Sequence, residues 1–469
     1  MSITKPYDLI VIGAGPAGEK GAAQAAYFGK RVAIIEKEAL PGGACVHTGT
    51  LPSKCLRESA LTLSGLRASR IKGVDLKPGG RLRVEELLAH KNFVCATEVE
   101  RIRRNLERHK VDCYTGNAEF VDAKTVLIRH ADDRQTLLSA PVSLIATGTR
   151  PHRPTDIPFD REHLWDSDDI LDLHEVPHSM IVYGAGVIGC EYASMFAVLG
   201  VKVTLVEPRD RILPFLDDEV SQALVSSFQE LGIDIHSGSA METCRIDGGE
   251  AVVTLKNGTK IRAERFLYAA GRDGNSGGMG LDNIGVAADK RGLIAVNAHY
   301  ETACPGIYAA GDIIGFPALA STSMDQARIA MCHAFDLKYK TELNRLLPYG
   351  IYTIPEVSMI GDTEQDLQKR GEDFETGRAW YRDNARGRML GDPQGFVKLV
   401  FRPNDKKLLG AHVVGERAAD LVHIGLTVMQ FGGSIDTFID AVYNYPTVSE
   451  CFKYAAYDGL GRLARRGKA

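Results

Sequence analysis

The sequence predicts an α/β protein organised around two copies of one strand–turn–helix unit. Three observations predict it. An apolar strand enters a G-x-G-x-x-G turn at Gly13, another does so at Gly184, and in each case a glutamate ending the next strand follows 23 residues after the first glycine, at Glu36 and Glu207. Either match alone is weak, because glycine-rich strand-to-helix turns occur without a ligand. Identical internal spacing in two copies makes chance a poor explanation.

The first unit reads Asp8-Leu-Ile-Val-Ile-Gly13-Ala-Gly15-Pro-Ala-Gly18 and continues as an alanine-rich helical pattern through Phe28. Gly13 permits the tight turn, Gly15 lets backbone amides approach a pyrophosphate, and Gly18 lets the helix pack close to the strand with its positive end toward the phosphates. The next strand, Arg31-Val-Ala-Ile-Ile, ends at Glu36, placed to accept from a ribose hydroxyl. Met180-Ile-Val-Tyr-Gly184-Ala-Gly186-Val-Ile-Gly189 repeats the unit, and Val203-Thr-Leu-Val-Glu207 repeats the acidic strand end. Each unit is followed by an apolar strand pattern ending in glycine, at Thr147-Gly148 and at Gly271, where the chain crosses out of that nucleotide domain. Further on, Tyr308-Ala-Ala-Gly311-Asp312 brings an acid to a turn suited to a ribityl hydroxyl, and a helix is expected from Ala320 to Phe335. Two nucleotide sites in one chain imply electron transfer between them.

Composition sets the limits. At roughly 150 residues per domain, 469 residues predict about three domains. Hydrophobic residues at 44% and charged residues at 25% exclude a disordered or fibrous chain. Lys plus Arg is 56 against 60 Asp plus Glu, a net charge of −4 that supplies no field for nucleic acid or an anionic membrane; only Arg462–Lys468 is locally basic. Nine cysteines, an odd number with no C-x-x-C, argue against a disulfide framework or a zinc site and point to a reducing compartment. No signal-peptide pattern follows Met1, and no apolar run approaches the roughly eighteen residues that span a bilayer. A soluble cytoplasmic protein without a bound metal is expected.

Taken in this order, the motifs resemble the flavoprotein disulfide reductase family over essentially the whole chain. The resemblance implies two Rossmann-like domains, FAD bound by residues 1–151 and 275–345 and NAD(P) by 152–274, plus an α+β dimerisation domain at 346–469. It implies flavin contacts from Gly13, Gly15, Gly18, Glu36, Gly43, Cys45, Thr50, Lys54, Thr147, Gly148, Gly311, Asp312 and Ala320. It implies NAD(P) contacts from Gly184, Gly186, Gly189, Glu207, Arg209, Arg211 and Gly271. The dimerisation segment would bring Tyr445 and Glu450 to the flavin of the partner subunit, so a homodimer or a larger homo-oligomer is expected.

Two departures from the family pattern redirect the function. Dithiol members carry Cys-x4-Cys in the loop that here reads Gly42-Gly43-Ala-Cys45-Val-His47-Thr-Gly49-Thr50-Leu-Pro52-Ser53-Lys54. Thr50 stands where the flavin-side thiol belongs, and a hydroxyl cannot cycle as a thiolate. Cys45 is then a packed neighbour of the flavin, and Cys55 lies out of pattern. Near the carboxy terminus the chain reads Asn444-Tyr445-Pro446-Thr447, with Tyr445 in place of the family's histidine base and Glu450 retained. A phenol with an ordinary pKa near 10 is a poor base at neutral pH. This double replacement resembles the branch of the family that exchanges hydride between pyridine nucleotides.

The expected catalytic pair is Lys54, whose ammonium favours electron arrival at flavin N5, and Glu191, its partner beside the nicotinamide. The helix beginning at Ala320 would aim its amino end at the N1/O2 edge and stabilise negative charge there. His47 is expected to be satisfied by backbone. Glu207 suits a free 2′-hydroxyl, while Arg209 and Arg211 just after it can meet a 2′-phosphate if Glu207 swings away. Hydride would pass from NADPH through FAD to NAD⁺ by a ping-pong exchange. Two alternatives stay open on the residues: an NAD(P)H:quinone or dye reductase, and a flavin- and NAD-bound redox sensor or scaffold.

Overall fold

The computed structural model describes residues 5–73 and 83–466; Met1 to Thr4, residues 74–82 and the end of the basic tail, Gly467 to Ala469, lie outside the described residues. The chain forms two compact units, one of Met1–Cys55, Leu88–His152 and Gly271–Asn344, the other of Leu56–Leu87, Arg153–Ala270 and Arg345–Ala469.

The first unit is built on a five-stranded parallel sheet in the order Ile307–Ala309, Val142–Ile145, Leu9–Ile12, Val32–Glu36, Asp112–Thr115. Its central strand is the continuous apolar run that precedes the first glycine turn, and all four of its residues are buried. Alternation along the strand sends side chains to both faces. Leu9 and Val11 join one core with the helices Pro16–Tyr27 and Ala320–Ala334. Ile10 and Ile12 join a second core that includes Phe120, Val126 and Leu138 of a four-stranded sheet. The two helices pack closely because small residues face each other: a Cβ on Gly21 would stand 3.4 Å from Ala327 Cβ and 2.5 Å from Leu144 Cδ2. The chain leaves and re-enters this unit through an antiparallel pair, Thr149–Pro151 with Arg272–Gly274.

The second unit holds another five-stranded parallel sheet, in the order Leu164–Asp166, Arg265–Tyr268, Ser179–Tyr183, Lys202–Val206, Asp234–His236. A three-stranded antiparallel sheet, Met241–Asp247, Glu250–Leu255 and Lys260–Ala263, shares its apolar core. The same unit contains a five-stranded antiparallel sheet, Tyr349–Ile351, Val357–Gly361, Leu408–Val414, Phe396–Phe401, Glu375–Trp380, with its own core against the helices Ala418–Gln430 and Glu450–Arg466. Gly377 admits the last helix, since a Cβ there would stand 2.0 Å from the Ala455 carbonyl oxygen.

Within this unit a buried ion cluster joins the segments 153–270 and 345–466. Lys398 Nζ lies 2.6 Å from Asp217 and 3.1 Å from Glu219, and it also pairs with Glu364. Asp217 caps the helix Asp218–Glu230, accepting from Glu219 N. Among the described residues, Asp217, Glu219 and Glu364 form a carboxylate cluster of metal-ligating size, but the Lys398 ammonium fills it. Burial disfavours the charged lysine, and the carboxylates outweigh it, raising the pKa of Lys398; Asp217 is held below the usual carboxylate range against its own burial. Among the described residues no helix is long and apolar enough to cross a membrane.

Candidate active site

The two glycine turns have nearly the same backbone. Gly13 and Gly184 both have φ +100°, a conformation that glycine adopts without strain. A Cβ on Gly18 would stand 1.8 Å from the Gly13 carbonyl oxygen, and one on Gly189 equally 1.8 Å from that of Gly184. Gly15 and Gly186 begin their helices with no side-chain cap, so the first-turn N–H groups face outward for an anion. The strand-end acids close each turn: Ala14 N donates to Glu36 Oε2 at 2.8 Å, and Ala185 N to Glu207 Oε2 at 2.7 Å. The loops beyond return to the same place, Gly42 N donating to Ala14 O at 2.9 Å and Leu213 N to Ala185 O at 3.1 Å.

Around the first turn the fold collects the residues expected at the flavin. Gly43 approaches Gly15 so closely that a Cβ on it would stand 2.9 Å from Gly15 Cα. Gly311, at φ +83°, packs against Ala17 and Ser323, and its N–H donates to Gln326 Oε1 at 2.9 Å. Thr149 Oγ1 donates to Asp312 Oδ2 at 3.3 Å. Gly148 has φ +64° with open space at its Cβ position, and Thr147 Oγ1 is buried with no hydrogen-bond partner in the protein. Ala320 opens its helix behind Leu319, which supplies no cap. Bare amides, a carboxylate at the strand end, an acid for a sugar hydroxyl and an orphaned hydroxyl together fit the pyrophosphate and polyol of FAD. Gln326 was not expected from the sequence, because its role depends on a helix crossing that no local motif marks.

Cys45 lies on the short helix Gly43–His47 close to Thr50, the first residue of the helix Thr50–Leu63 that carries Lys54. Burial pushes the Cys45 thiol up, and the Thr50 contact only partly opposes it, so the sulfur is protonated at neutral pH. All nine cysteines are free thiols. His47 Nε2 lies 3.0 Å from the Pro41 carbonyl oxygen, and Lys54 Nζ lies 3.3 Å from Ser53 Oγ.

The second turn differs from the first in its side chains. Glu207 is 1% exposed, and besides Ala185 it accepts from Arg209 N at 2.9 Å, from Arg209 Nε at 2.7 Å and from an Arg209 terminal nitrogen at 3.0 Å. Burial works against its charge, but these donors win and hold its pKa below the usual carboxylate range. Glu207 therefore stays inward rather than swinging away, with Arg209 closed over it. Arg211 does not join Arg209: it donates to the carbonyls of Pro214 and Leu216, at 3.2 and 2.6 Å, and pairs with Asp218. Turn carbonyls that lack backbone partners claim its guanidinium. Gly271, expected on the nicotinamide side, lies in the first unit with φ +132°, its carbonyl accepting from His152 N at 3.1 Å.

A family model for pyridine nucleotide-disulphide oxidoreductases matches residues 7–327, and the dimerisation domain of that family matches 347–456. The chain belongs to this family. Among its relatives, the soluble pyridine nucleotide transhydrogenase of Mycobacterium bovis is 45% identical over 460 residues, 98% of each chain. That of Yersinia enterocolitica is 42% identical, over 97% of this chain and 98% of the relative. Among solved structures, LpdA of Mycobacterium tuberculosis shares 27% identity with a TM-score of 0.89, covering 96% of this chain and 99% of that one. The HOCl-induced flavoprotein disulfide reductase RclA of Escherichia coli, as its Cu(II) complex, shares 25% with a TM-score of 0.88, covering 97% and 99%.

Within the family's dimerisation domain, the Tyr445 ring is 76% exposed, and Glu450 opens the helix Glu450–Arg466 with Asn384 Nδ2 at 3.4 Å. Glu191 is 3% exposed in the helix Val187–Val198, and its Oε1 accepts from Tyr352 N at 2.9 Å. No sequence signal marks that contact, because the donor is a backbone amide distant in the chain.

Proposed function

We propose that this protein exchanges hydride between NADPH and NAD⁺ through FAD, as a transhydrogenase without a redox-active dithiol. The observation that carries the reading is Thr50 rather than a thiol next to Cys45, taken together with two matching dinucleotide turns. The names of the relatives, at 42% and 45% identity over nearly the whole chain, support it. When bound, FAD supplies a two-electron carrier that takes hydride from one nicotinamide and returns it to another.

The residues divide the work. Residues 1–151 and 275–345 hold FAD through Gly13, Gly15, Gly18, Glu36, Thr147, Gly148, Gly311 and Asp312, with Ala320 opening the helix that faces the flavin edge. Residues 152–274 take the nicotinamide nucleotides in turn at Gly184, Gly186 and Gly189. Lys54 holds positive charge near the flavin and Glu191 sets the nicotinamide end. Arg209, 54% exposed at its side chain and neutralising Glu207, leaves a ribose pocket that tolerates a 2′-phosphate as well as a 2′-hydroxyl. Residues 346–469 form a homodimer in which Tyr445 and Glu450 border the flavin of the second copy, and the protein works in the cytoplasm.

Anaerobic stopped-flow tests the reading. NADPH bleaches the flavin, and NAD⁺ added afterwards restores its colour by a second, independent half-reaction. Bleaching without recovery on NAD⁺ would point to a quinone or dye reductase, and no bleaching at all to a sensor.

A further inference from the structure

The amide that meets Glu191 belongs to a connecting segment pinned at three successive residues. Tyr352 N donates to Glu191 Oε1 at 2.9 Å, and Ile354 N donates to Ser194 Oγ at 3.1 Å, one helical turn beyond Glu191. Between them the carbonyl of Thr353, a residue with no exposed surface, accepts from Arg57 Nε at 3.1 Å. Arg57 is 3% exposed, and its NH1 pairs at 3.1 Å with Glu356, whose other oxygen accepts from Ala419 N at 3.3 Å. Arg57 follows Lys54 by three residues on the helix Thr50–Leu63, so the two side chains leave neighbouring positions on one helix face.

We infer that Arg57 and Ser194 are positioning residues for hydride transfer, acting through the segment Tyr352–Glu356. This rests on the reading of Lys54 and Glu191 as the residues at the reacting end. The segment ties the helix that carries Lys54 to the helix that carries Glu191. It also presents the Tyr352 N–H that fixes one oxygen of the Glu191 carboxylate. A buried carboxylate keeps its rotamer only while its donors stay in place. Removing Ser194 Oγ leaves Ile354 N without an acceptor, and the segment then relaxes away from Glu191. Nicotinamide and flavin must meet in a near-attack geometry, so displacement of that carboxylate slows the chemical step more than it weakens nucleotide binding.

The test is single-turnover flavin reduction by saturating NADPH, with the nucleotide dissociation constant and the FAD content measured on the same samples. Ser194→Ala is expected to slow reduction by about ten-fold, the scale of one lost hydrogen bond to a charged network. Nucleotide affinity should stay within about two-fold and FAD content should be unchanged. Arg57→Met strands the buried Glu356 charge, so the double variant Arg57→Met/Glu356→Gln carries the same measurement with that charge removed, and slowing of at least ten-fold is expected. Wild-type reduction rates in both Ser194→Ala and the double variant would overturn the inference while leaving transhydrogenation intact. Wild-type protein that NADPH fails to reduce would overturn the underlying reading instead.

Discussion

The two glycine turns place the same backbone in two units and surround it with different charge. Each has its first glycine at φ +100°, a third glycine that admits no Cβ, a strand-end glutamate on the second amide, and a loop that returns to the same carbonyl 28 residues after it, at Gly42 and Leu213. The side chains then part. Two residues beyond Glu36 stands Glu38, while two beyond Glu207 stands Arg209, folded onto the carboxylate it follows. Glycine sterics are thus shared by the two turns, whereas the charge two places after the acid is not, and the proposed choice of nucleotide rests on that charge.

The largest effect on nucleotide binding is expected where the turns agree. Gly189→Ala drives a methyl into the Gly184 carbonyl, costing about 3 kcal/mol, or roughly 100-fold in nucleotide affinity. FAD should remain, because the first turn is untouched. Titration of NADH binding alongside flavin absorbance checks this, and loss of both ligands together would mean that the turns do not act separately.

Beyond Glu207 the chain leads into the helix Asp218–Glu230, capped by Asp217, and the Lys398 cluster holds that cap. Lys398→Met takes the ammonium from the buried Asp217 carboxylate, while Glu219 and Glu364 keep Arg378, and should destabilise the protein by about 3 kcal/mol. Chemical denaturation of the FAD-loaded protein measures it; a loss below about 1 kcal/mol would show that the cluster contributes little.

Arg209→Glu gives the second turn the charge of the first. Loss of a charge-assisted contact, on the order of 1.5–3 kcal/mol, predicts a ten-fold or greater rise in KM for NADPH with that for NADH much less affected. Equal changes for both nucleotides would remove Arg209 from the discrimination.

The smallest expected effect is a pH dependence beside the same cluster. His412 has no exposed surface, and burial holds its pKa below 6.5, with Asp217 opposing that shift and Lys398 adding to it. The folded protein therefore keeps it neutral where the unfolded chain takes up a proton. Stability should fall as pH drops below about 6.5, by at most about 1.4 kcal/mol per unit for this group, until the folded value is reached. Urea unfolding of His412→Gln should show a shallower slope there, and an unaltered slope would assign the dependence to other groups.

Much of this architecture was legible before folding because it is local. Glycines at fixed offsets, apolar strands before them and acids after them are short-range constraints, and they placed both turns and their sheets. The missing flavin-side thiol was equally local, since Thr50 can be read without knowing what surrounds it. What the sequence could not supply were contacts whose partners are far apart in the chain. Arg209 and Arg211 read alike as phosphate ligands, yet packing spends Arg211 on two carbonyls and leaves Arg209 on Glu207. Glu191 read as a lone acid on a helix, and only tertiary structure supplied the Tyr352 amide that orients it. The fold class and the chemistry removed from the redox loop thus followed from sequence alone, because backbone sterics and side-chain identity are properties of a residue and its neighbours. The orientation of charged side chains waited for the fold, because a guanidinium or carboxylate goes wherever burial has left a polar group in need of a partner.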